Sequence, residues 1–322
     1  MRMQRRFRLV VTLTAAAILA AVGAHAATGQ KTNDAVTARF SDPSGRIIVV
    51  AHRGCHNPLP RRGLGSAPEN SLKALEHCVA AGVDVMETDV LRAGDGTLVM
   101  IHDDSVDRTT NGSGRVATMT YPELRRLRLR ENLGGPNSHL TDEHIPTLEE
   151  MLVRAKGRIL LNLDVKAAIY PEVIEAVIRA GARDWVFVKT ETGIETPPLA
   201  GMAPYDRVPF MPILLNADGN ANLAAILERQ AEGKAPIGAE LPRMRFDQLP
   251  SVVAAAKARH LPLMANTIFE GFIEGPFSDI DALRDPASVW GRLQAAGVTV
   301  FQTDEPGALL AWRATLPGKR HE

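Results

Sequence analysis

Short apolar runs alternate with amphipathic segments along most of this chain of 322 residues, and this alternation constrains the fold more than any other feature. Short apolar runs bounded by turn residues predict buried strands, and apolar residues at helical spacing between them predict helices. Nine strands are predicted, at residues 46–51, 83–90, 98–101, 158–165, 185–189, 209–215, 237–241, 261–268 and 298–302. Strands that alternate with helices form a parallel sheet.

We therefore predict the α/β class and a (β/α)8 TIM barrel rather than an open doubly wound sheet. No Gly-rich phosphate fingerprint follows the first strand, which disfavours a dinucleotide-binding sheet. A barrel of this kind uses eight strands, so one of the strands 98–101 and 237–241 is expected to be short or to lie outside it. Residues from about 105 to 145 contain no obvious strand.

The N-terminal residues differ in composition from the rest. Four arginines among the first eight residues precede an apolar stretch from Leu9 to about Val22, and small residues follow at Ala24 and Ala26. This layout predicts a secretory signal peptide at residues 1–26, cleaved after Ala26, and hence a periplasmic or secreted protein. An uncleaved membrane anchor is the alternative, which is disfavoured because the run is shorter than the roughly 20 apolar residues of a span.

The remainder of the chain reads as one domain. Residues 27–44 are small and polar and predict a flexible leader, and residues 45–316 then form the barrel without an internal linker.

Composition shows no basic excess, so it gives no reason to expect a nucleic-acid partner, and no later run is apolar enough for stable membrane insertion. Cys55 and Cys78 are expected to be free thiols, because Cys78 lies late in a helix that runs back along the first strand.

Ionisable side chains stand at the C-terminal ends of several predicted strands, where barrels of this class carry their chemistry. Glu87 and Asp89 are two residues apart on one strand and therefore point to the same face, and Asp164 ends another strand. Three such carboxylates suit a hard cation, Mg²⁺ or Ca²⁺, better than Zn²⁺. Ion pairing with arginines and lysines at the rim is the alternative, and it is weaker for three acids together than for any one of them.

Two histidines follow apolar strands, His52 after the first and His102 after the third. One histidine in such a place is more often structural, but two beside a metal site are the usual acid and base near neutral pH. Arg53 and Lys166 add positive charge that suits a phosphate. This set predicts hydrolysis of an anionic phosphodiester. Four other histidines show no ligand spacing and are predicted to lie on the surface. They are His56, His77, His139 and His144.

These motifs resemble, in the same order, those of the glycerophosphodiester phosphodiesterase family. The resemblance covers about residues 47–310 and is densest up to Lys166. The similar segments are His52-Arg53-Gly54, Pro68-Glu69-Asn70, Glu87-Thr88-Asp89, His102-Asp103, Asp107-Arg108-Thr109-Thr110-Asn111-Gly112, Ile145-Pro146-Thr147-Leu148-Glu149-Glu150, Leu161-Asn162-Leu163-Asp164-Val165-Lys166 and Gln302-Thr303-Asp304-Glu305-Pro306.

The resemblance implies a TIM barrel that cleaves glycerophosphodiesters to glycerol 3-phosphate and an alcohol with a divalent metal. It also implies that the segment from about residue 105 to residue 145 is a small insertion after an early strand, beside the barrel. It also implies roles for residues of this chain. They are acid and base for His52 and His102, phosphate contact for Arg53 and Lys166, and metal ligation for Glu87, Asp89 and Asp164. Glu69 would either bind the metal or order the region of Arg53.

Three features depart from the family's pattern. Asp164 stands where the family commonly has Glu. The loop from Cys55 to Ala67 is long, and we expect it to reach over the barrel mouth and affect the choice of leaving group. The penultimate strand reads Met264-Ala265-Asn266-Thr267-Ile268, without the Trp that the family often has there.

Two other functions remain open. A phospholipase D-like enzyme acting on lysophospholipid or sphingolipid head groups would need an exposed apolar rim at the mouth. A non-catalytic barrel that binds a phosphorylated ligand would not need both histidines, and both are present.

Overall fold

The computed structural model describes residues 35–42 and 45–317. The predicted signal peptide and its cleavage after Ala26 lie outside these residues, as do residues 27–34 and 43–44 of the predicted leader. Among the helices of the described part, none has the length and apolarity that crossing a bilayer requires.

Nine strands form one sheet, and eight of them close into a parallel barrel. The strands are β1 (Ile48–Ala51), β2 (Val85–Arg92), β3 (Leu98–Met100), β4 (Leu160–Val165), β5 (Val186–Thr192), β6 (Phe210–Leu214), β7 (Ala239–Glu240), β8 (Leu263–Asn266) and β9 (Val300–Thr303). The barrel order is β1-β9-β8-β7-β6-β5-β4-β2, and the pairing of β1 with β2 closes it. β3 pairs antiparallel with β2 outside the barrel, and β7 has only two residues. The predicted TIM barrel is confirmed.

Helices surround the barrel. They are α1 (Ala35–Phe40), α2 (Leu72–Ala81), α3 (Tyr121–Leu124), α4 (Leu148–Ala155), α5 (Tyr170–Arg179), α6 (Leu223–Gln230), α7 (Leu249–Ala258), α8 (Asp279–Arg284), α9 (Arg292–Ala296) and α10 (Pro306–Arg313). Except for α1 and α3, their apolar faces pack with outward-facing strand residues in the main core, to which Leu75, Met151 and Trp290 belong. Burial of these faces is the main favourable contribution to folding.

The segment between β3 and α4 packs beside the barrel around an apolar cluster of its own. Val106, Leu124 and Leu129 belong to this cluster, together with Leu91 of β2 and Val99 of β3. It corresponds to the predicted insertion. Its position next to β3 brings its side chains to the mouth of the barrel.

α1 closes the N-terminal end of the barrel. Val36 and Phe40 belong to the cluster of side chains that fills the lower barrel interior. The ring of Phe40 meets that of Phe187 edge to face, with centroids 5.3 Å apart. The prediction of a flexible leader over residues 27–44 is therefore wrong at α1. Two apolar residues in a polar segment give no clear periodicity, but the open end of the barrel provides a place to bury both.

Val36→Ala is expected to lower the free energy of unfolding by about 2 kcal/mol, because it removes two buried methyl groups and leaves a cavity. Urea denaturation followed by circular dichroism measures the change. Val153→Ala is the matched control, since Val153 is 69% exposed on α4, and its effect should stay within about 0.5 kcal/mol. Equal stability changes in the two variants would contradict the role of α1.

Residues 55–67 form a finger on the outer wall of the barrel. The N–H of Ala67 donates to the carbonyl of His56 across its base. Near its tip, Arg62 Nη2 donates to the carbonyl of Ala81 at the end of α2, at 3.3 Å. Because α2 runs antiparallel to β1, its end lies toward the bottom of the barrel. The expectation that this loop reaches over the mouth is therefore wrong.

Cys55 and Cys78 form a disulfide, with Cα atoms 5.1 Å apart. The prediction of free thiols is wrong because the chain turns outward at Arg53 and Gly54, which have positive φ angles of 53° and 83°. This turn lays Cys55 against α2, where its N–H donates to the carbonyl of Ala74. Cys78 is one helical turn beyond that contact, within reach of a disulfide.

Candidate active site

Three carboxylates converge at the barrel mouth and form what we term the acidic trio, which comprises Glu87, Asp89 and Asp164. The register of β2 with β4 sets Asp89 beside Asp164, and Glu87 lies two residues earlier on the same face of β2. Glu87 and Asp89 are each only 1% exposed. One carboxylate oxygen from each residue lies within 4.8 Å of the others. The structure thus brings three of the four predicted metal ligands together.

Two lysines offset part of the negative charge of the acidic trio. Lys166 Nζ lies 3.1 Å from Asp89 Oδ1 and 2.9 Å from Asp164 Oδ2. Lys189 on β5 is buried, and its Nζ is 3.7 Å from Asp164 Oδ2. Burial favours protonation of Asp164, but the lysines outweigh it and keep its pKa below the usual value. Burial and the charge of Asp89 raise the pKa of Glu87 to about 8, because they outweigh the opposite effect of Lys189 and Lys166.

Arg53 stands beside the acidic trio and is ordered by Glu69. Its backbone N–H donates to Glu87 Oε2 at 2.8 Å, and its Nη1 donates to Glu69 at 3.2 Å. Arg108, from the insertion, donates to both oxygens of Glu69 at 2.7 and 2.8 Å. Both carboxylate oxygens of Glu69 are therefore held by guanidinium groups. Of the two roles implied for Glu69, ordering of Arg53 agrees with this geometry, whereas the structure does not bring Glu69 to the trio.

His52 is oriented by a carboxylate from the other end of the sequence. Its Nδ1 lies 2.8 Å from Oδ1 of Asp304, which follows β9, and Nε2 of His56 approaches the same oxygen at 3.1 Å. Burial favours protonation of Asp304, but hydrogen bonds from the two histidines keep its pKa well below the usual value. Burial also lowers the pKa of His52. A neutral His52 with Nδ1–H facing Asp304 can accept a proton at Nε2.

The prediction that four histidines lie on the surface is correct only in part. His56 is 1% exposed and His77 is 8% exposed, so both are buried. His56 is buried because the finger turns its base toward Asp304. His144 is half-buried and hydrogen-bonds the carbonyl of Leu127, and His139 is exposed.

His102 has a similar arrangement on the opposite side of the trio. Its Nδ1 lies 2.7 Å from Oδ1 of Asp103, and Arg108 Nε donates to the other oxygen of Asp103 at 2.7 Å. The hydrogen bond from Arg108 keeps the pKa of Asp103 well below its usual value, against the effect of burial. His102 is partly exposed, and its Nδ1 is committed to Asp103. Its Nε2 is therefore the nitrogen available to a substrate.

The charges of the two histidines reach the acidic trio from both sides. His52 interacts with the charge of Asp89, and His102 with that of Asp164. Two imidazoles, each oriented through Nδ1 by a carboxylate, thus flank a cluster of acids with Arg53 beside it. This arrangement can transfer two protons on opposite sides of a bound anion.

A polar chain below the mouth contains residues that the sequence analysis did not single out. Lys189 Nζ donates to Glu240 Oε2 at 2.9 Å, and Asn266 Nδ2 donates to Glu240 Oε1 at 2.8 Å. Glu240 ends β7, and Lys189 ends the apolar run of the strand predicted at residues 185–189, which is the same signal that identified Asp164. Asp304 shows this signal too, because it directly follows the last apolar strand.

Comparison with known proteins finds a family match over the first half of the barrel. Residues 52–189 match the glycerophosphoryl diester phosphodiesterase family. A glycerophosphodiester phosphodiesterase of Caldanaerobacter subterraneus is 37% identical over 139 residues, which cover 42% of this chain and 52% of that protein. Residues 52–189 are therefore similar to the glycerophosphodiester phosphodiesterase family. Residues 210–313 match a domain family of unknown function.

Further relatives are similar to this chain over a comparable length. Glycerophosphodiester phosphodiesterase 1 of Homo sapiens is 37% identical over 125 residues, covering 38% of this chain and 35% of that protein. The chain spans about half the length, or less, of the curated relatives it matches. The segment that matches the family contains both histidines, the acidic trio, Arg53 and Lys166, whereas Asp304 and Glu240 lie beyond it.

Solved structures share the fold at lower identity. A glycerophosphoryl diester phosphodiesterase from Parabacteroides distasonis superimposes with a TM-score of 0.68 at 20% identity, covering 88% of this chain and 92% of that one. A phosphodiesterase of Oleispira antarctica, solved with the product sn-glycerol 3-phosphate, gives a TM-score of 0.57 at 19% identity, with 84% and 97% covered. These likenesses show a common barrel.

Proposed function

We propose that this protein hydrolyses glycerophosphodiesters to glycerol 3-phosphate and an alcohol, using a divalent metal ion. The observation that carries the proposal is the pair of carboxylate-oriented histidines on either side of the acidic trio, within the segment that matches the family. The site combines proton-transfer groups with fixed positive charge. Hydrolysis of an anionic diester requires both.

The donor set of the acidic trio fits a hard divalent cation. Three carboxylates with oxygens within 4.8 Å of one another match the oxygen ligands that Mg²⁺ and Ca²⁺ prefer. The raised pKa of Glu87 marks a place where a cation would relieve buried negative charge. Glu87, Asp89 and Asp164 would hold the ion, which would supply Lewis-acid stabilisation of the phosphoryl oxygens. We infer that Mg²⁺ or Ca²⁺ serves this role.

Proton transfer is assigned to His52 and His102. One imidazole takes a proton at Nε2 from the attacking hydroxyl group, which belongs either to water or to the glycerol of the substrate, and the other gives a proton to the oxygen of the departing alcohol. Attack by water gives glycerol 3-phosphate directly, whereas attack by the glycerol hydroxyl gives a cyclic phosphate that a water molecule then opens. Asp304 and Asp103 hold the two rings by Nδ1, so that each Nε2 faces the substrate. Orientation of this kind keeps the ring in the tautomer that the reaction needs.

Phosphate binding is assigned to Arg53 and Lys166. Both cations already contact carboxylates of the trio, so they lie where an anion bound at the trio would meet them. Glu69 has no direct part in this scheme. It keeps the guanidinium of Arg53 in place through the hydrogen bonds described above.

We infer that the protein acts after export, in the periplasm or outside the cell. Two features support this inference. The N-terminal sequence has the layout of a secretory signal, and the Cys55–Cys78 disulfide is of the kind that persists in oxidising compartments. The substrates in that setting would be deacylated phospholipids, which are small, water-soluble diesters.

Product analysis of glycerophosphocholine hydrolysis tests the proposed function. The mature protein would be assayed after EDTA treatment and again with Mg²⁺ or Ca²⁺, measuring glycerol 3-phosphate and phosphocholine separately. Loss of activity in EDTA, its return with one ion, and release of glycerol 3-phosphate with choline are expected. Circular dichroism in EDTA serves as the control for folding. Release of phosphocholine and glycerol, or no release with any ion, would overturn the proposal.

A further inference from the structure

The base of the finger touches the carboxylate that orients His52. His56 Nε2 donates to Asp304 Oδ1 at 3.1 Å, the same oxygen that accepts from His52 Nδ1. The neighbouring Asn57 donates from Nδ2 to the backbone carbonyl of Asp304 at 2.9 Å and to Glu305 Oε1 at 3.0 Å. Two consecutive residues of the finger therefore hold both the side chain and the backbone of Asp304.

The finger is itself fixed in three places. The Cys55–Cys78 disulfide joins the residue before His56 to α2. A hydrogen bond from Ala67 to His56 closes the base, and Leu59 packs against Gly307 at the start of α10 so closely that a Cβ at position 307 would lie 2.6 Å from its Cδ2. His56 is 1% exposed and Cys55 is fully buried. His56 therefore has little freedom to leave Asp304.

We propose that the base of the finger, with His56 and Asn57 fixed by the Cys55–Cys78 disulfide, is a positioning device that sets the orientation of His52 through Asp304. This inference rests on the proposed function, in which His52 transfers a proton. His56 is not part of the acidic trio, and although its ring lies near that of His52, no hydrogen bond joins the two histidines in the described part of the structure. It acts through Asp304, and so it is a positioning residue rather than a catalytic one.

The geometry explains why Asp304 needs this support. Its backbone N–H donates to Asp279 Oδ2 at 2.8 Å, which fixes the main chain from below. The side chain is fixed only by the two histidines in the described part of the structure. Without His56, the carboxylate could rotate about its own side-chain torsions, and His52 would lose a single preferred ring position. Loss of such alignment lowers the rate of proton transfer without removing the group that performs it.

His56→Leu and His56→Gln form the test pair. The leucine removes the donor to Asp304, whereas the glutamine amide can donate from nearly the position of Nε2. We expect His56→Leu to lower kcat for glycerophosphocholine by about tenfold, with KM and the midpoint of metal activation changed less than about twofold. His56→Gln should recover most of kcat. Arg61→Ala is the control, because Arg61 is an exposed residue of the same finger and should leave all three parameters unchanged.

Nitrogen-15 NMR of histidine-labelled protein gives a readout that does not depend on activity. The wild type should show His52 as one fixed Nδ1–H tautomer, His56→Leu should show a mixture, and His56→Gln should resemble the wild type. An unchanged His52 signal in His56→Leu would overturn the positioning role. So would an equal loss of kcat in the leucine and glutamine variants. If the wild type fails to hydrolyse the diester while the NMR result is as expected, the proposed function fails and the positioning role stands.

Removal of the disulfide tests the same positioning role in a second way. The double variant Cys55→Ala/Cys78→Ala removes the covalent link of the finger to α2 and leaves no free thiol. We expect a mixed His52 tautomer and a lower kcat with little change in KM, as in His56→Leu. A folded double variant with wild-type kcat and a single His52 tautomer would show that the disulfide has no part in positioning.

Discussion

His102→Ala is expected to lower kcat for glycerophosphocholine by about two to four orders of magnitude, the usual contribution of a positioned acid or base. His102 stands at the mouth with Nδ1 held by Asp103 at 2.7 Å, so Nε2 has one defined direction. KM should change by only a few-fold, because His102 has no assigned part in holding the phosphate.

Steady-state kinetics at saturating metal would measure this effect, with His139→Ala as the control. His139 is an exposed histidine of the same insertion, and its replacement should leave kcat unchanged. Added imidazole should restore part of the activity of His102→Ala if the missing group is a proton carrier. A turnover number near that of the wild type in His102→Ala would mean that the two-histidine mechanism is wrong.

The barrel could be predicted from the sequence because each strand is marked locally by a short apolar run between turn residues. β2 and β4 are buried strands rich in apolar residues, and the ionisable residues on them, such as Glu87 and Asp164, lie at one mouth because parallel strands share a direction. The residues predicted from this rule are those that the structure assembles. Lys189 shows the same signal, and its strand was predicted, but a lysine at a strand end is also common in ion pairs at the rim.

The contacts that the sequence could not predict are those that depend on the path of a loop or on a distant partner. Prediction of the disulfide would have required the path of the chain at Arg53 and Gly54, where a turn directs Cys55 onto α2. The contact of His56 with Asp304 joins residues that are 248 positions apart. α1 has too few apolar residues for a periodic pattern, and only the open end of the barrel explains its burial. In each case the three-dimensional environment, rather than local propensity, decided the outcome.

Lys189→Met is expected to lower the free energy of unfolding by about 3–5 kcal/mol, because it leaves buried carboxylates without their cation. Lys189 is 2% exposed and its Nζ lies 2.9 Å from Glu240 Oε2, in a pair enclosed by the barrel. Burial alone would lower the pKa of this lysine, but Glu240 and Asp164 raise it above its usual value. Without the ammonium group, the hydrogen bond from Asn266 is the one that Glu240 retains within residues 35–42 and 45–317.

Urea unfolding in EDTA would measure this change without a contribution from bound metal. Arg92→Met is the matched control, since Arg92 and Glu172 form an exposed ion pair with side chains 51% and 47% exposed, and its loss should cost less than about 1 kcal/mol. The double variant Lys189→Met/Glu240→Gln should regain much of the lost stability, because it leaves no unpaired charge on Glu240. If Lys189→Met were as stable as the wild type, or if the double variant were no more stable than the single one, Lys189 and Glu240 would not form the buried pair on which the polar chain below the mouth depends.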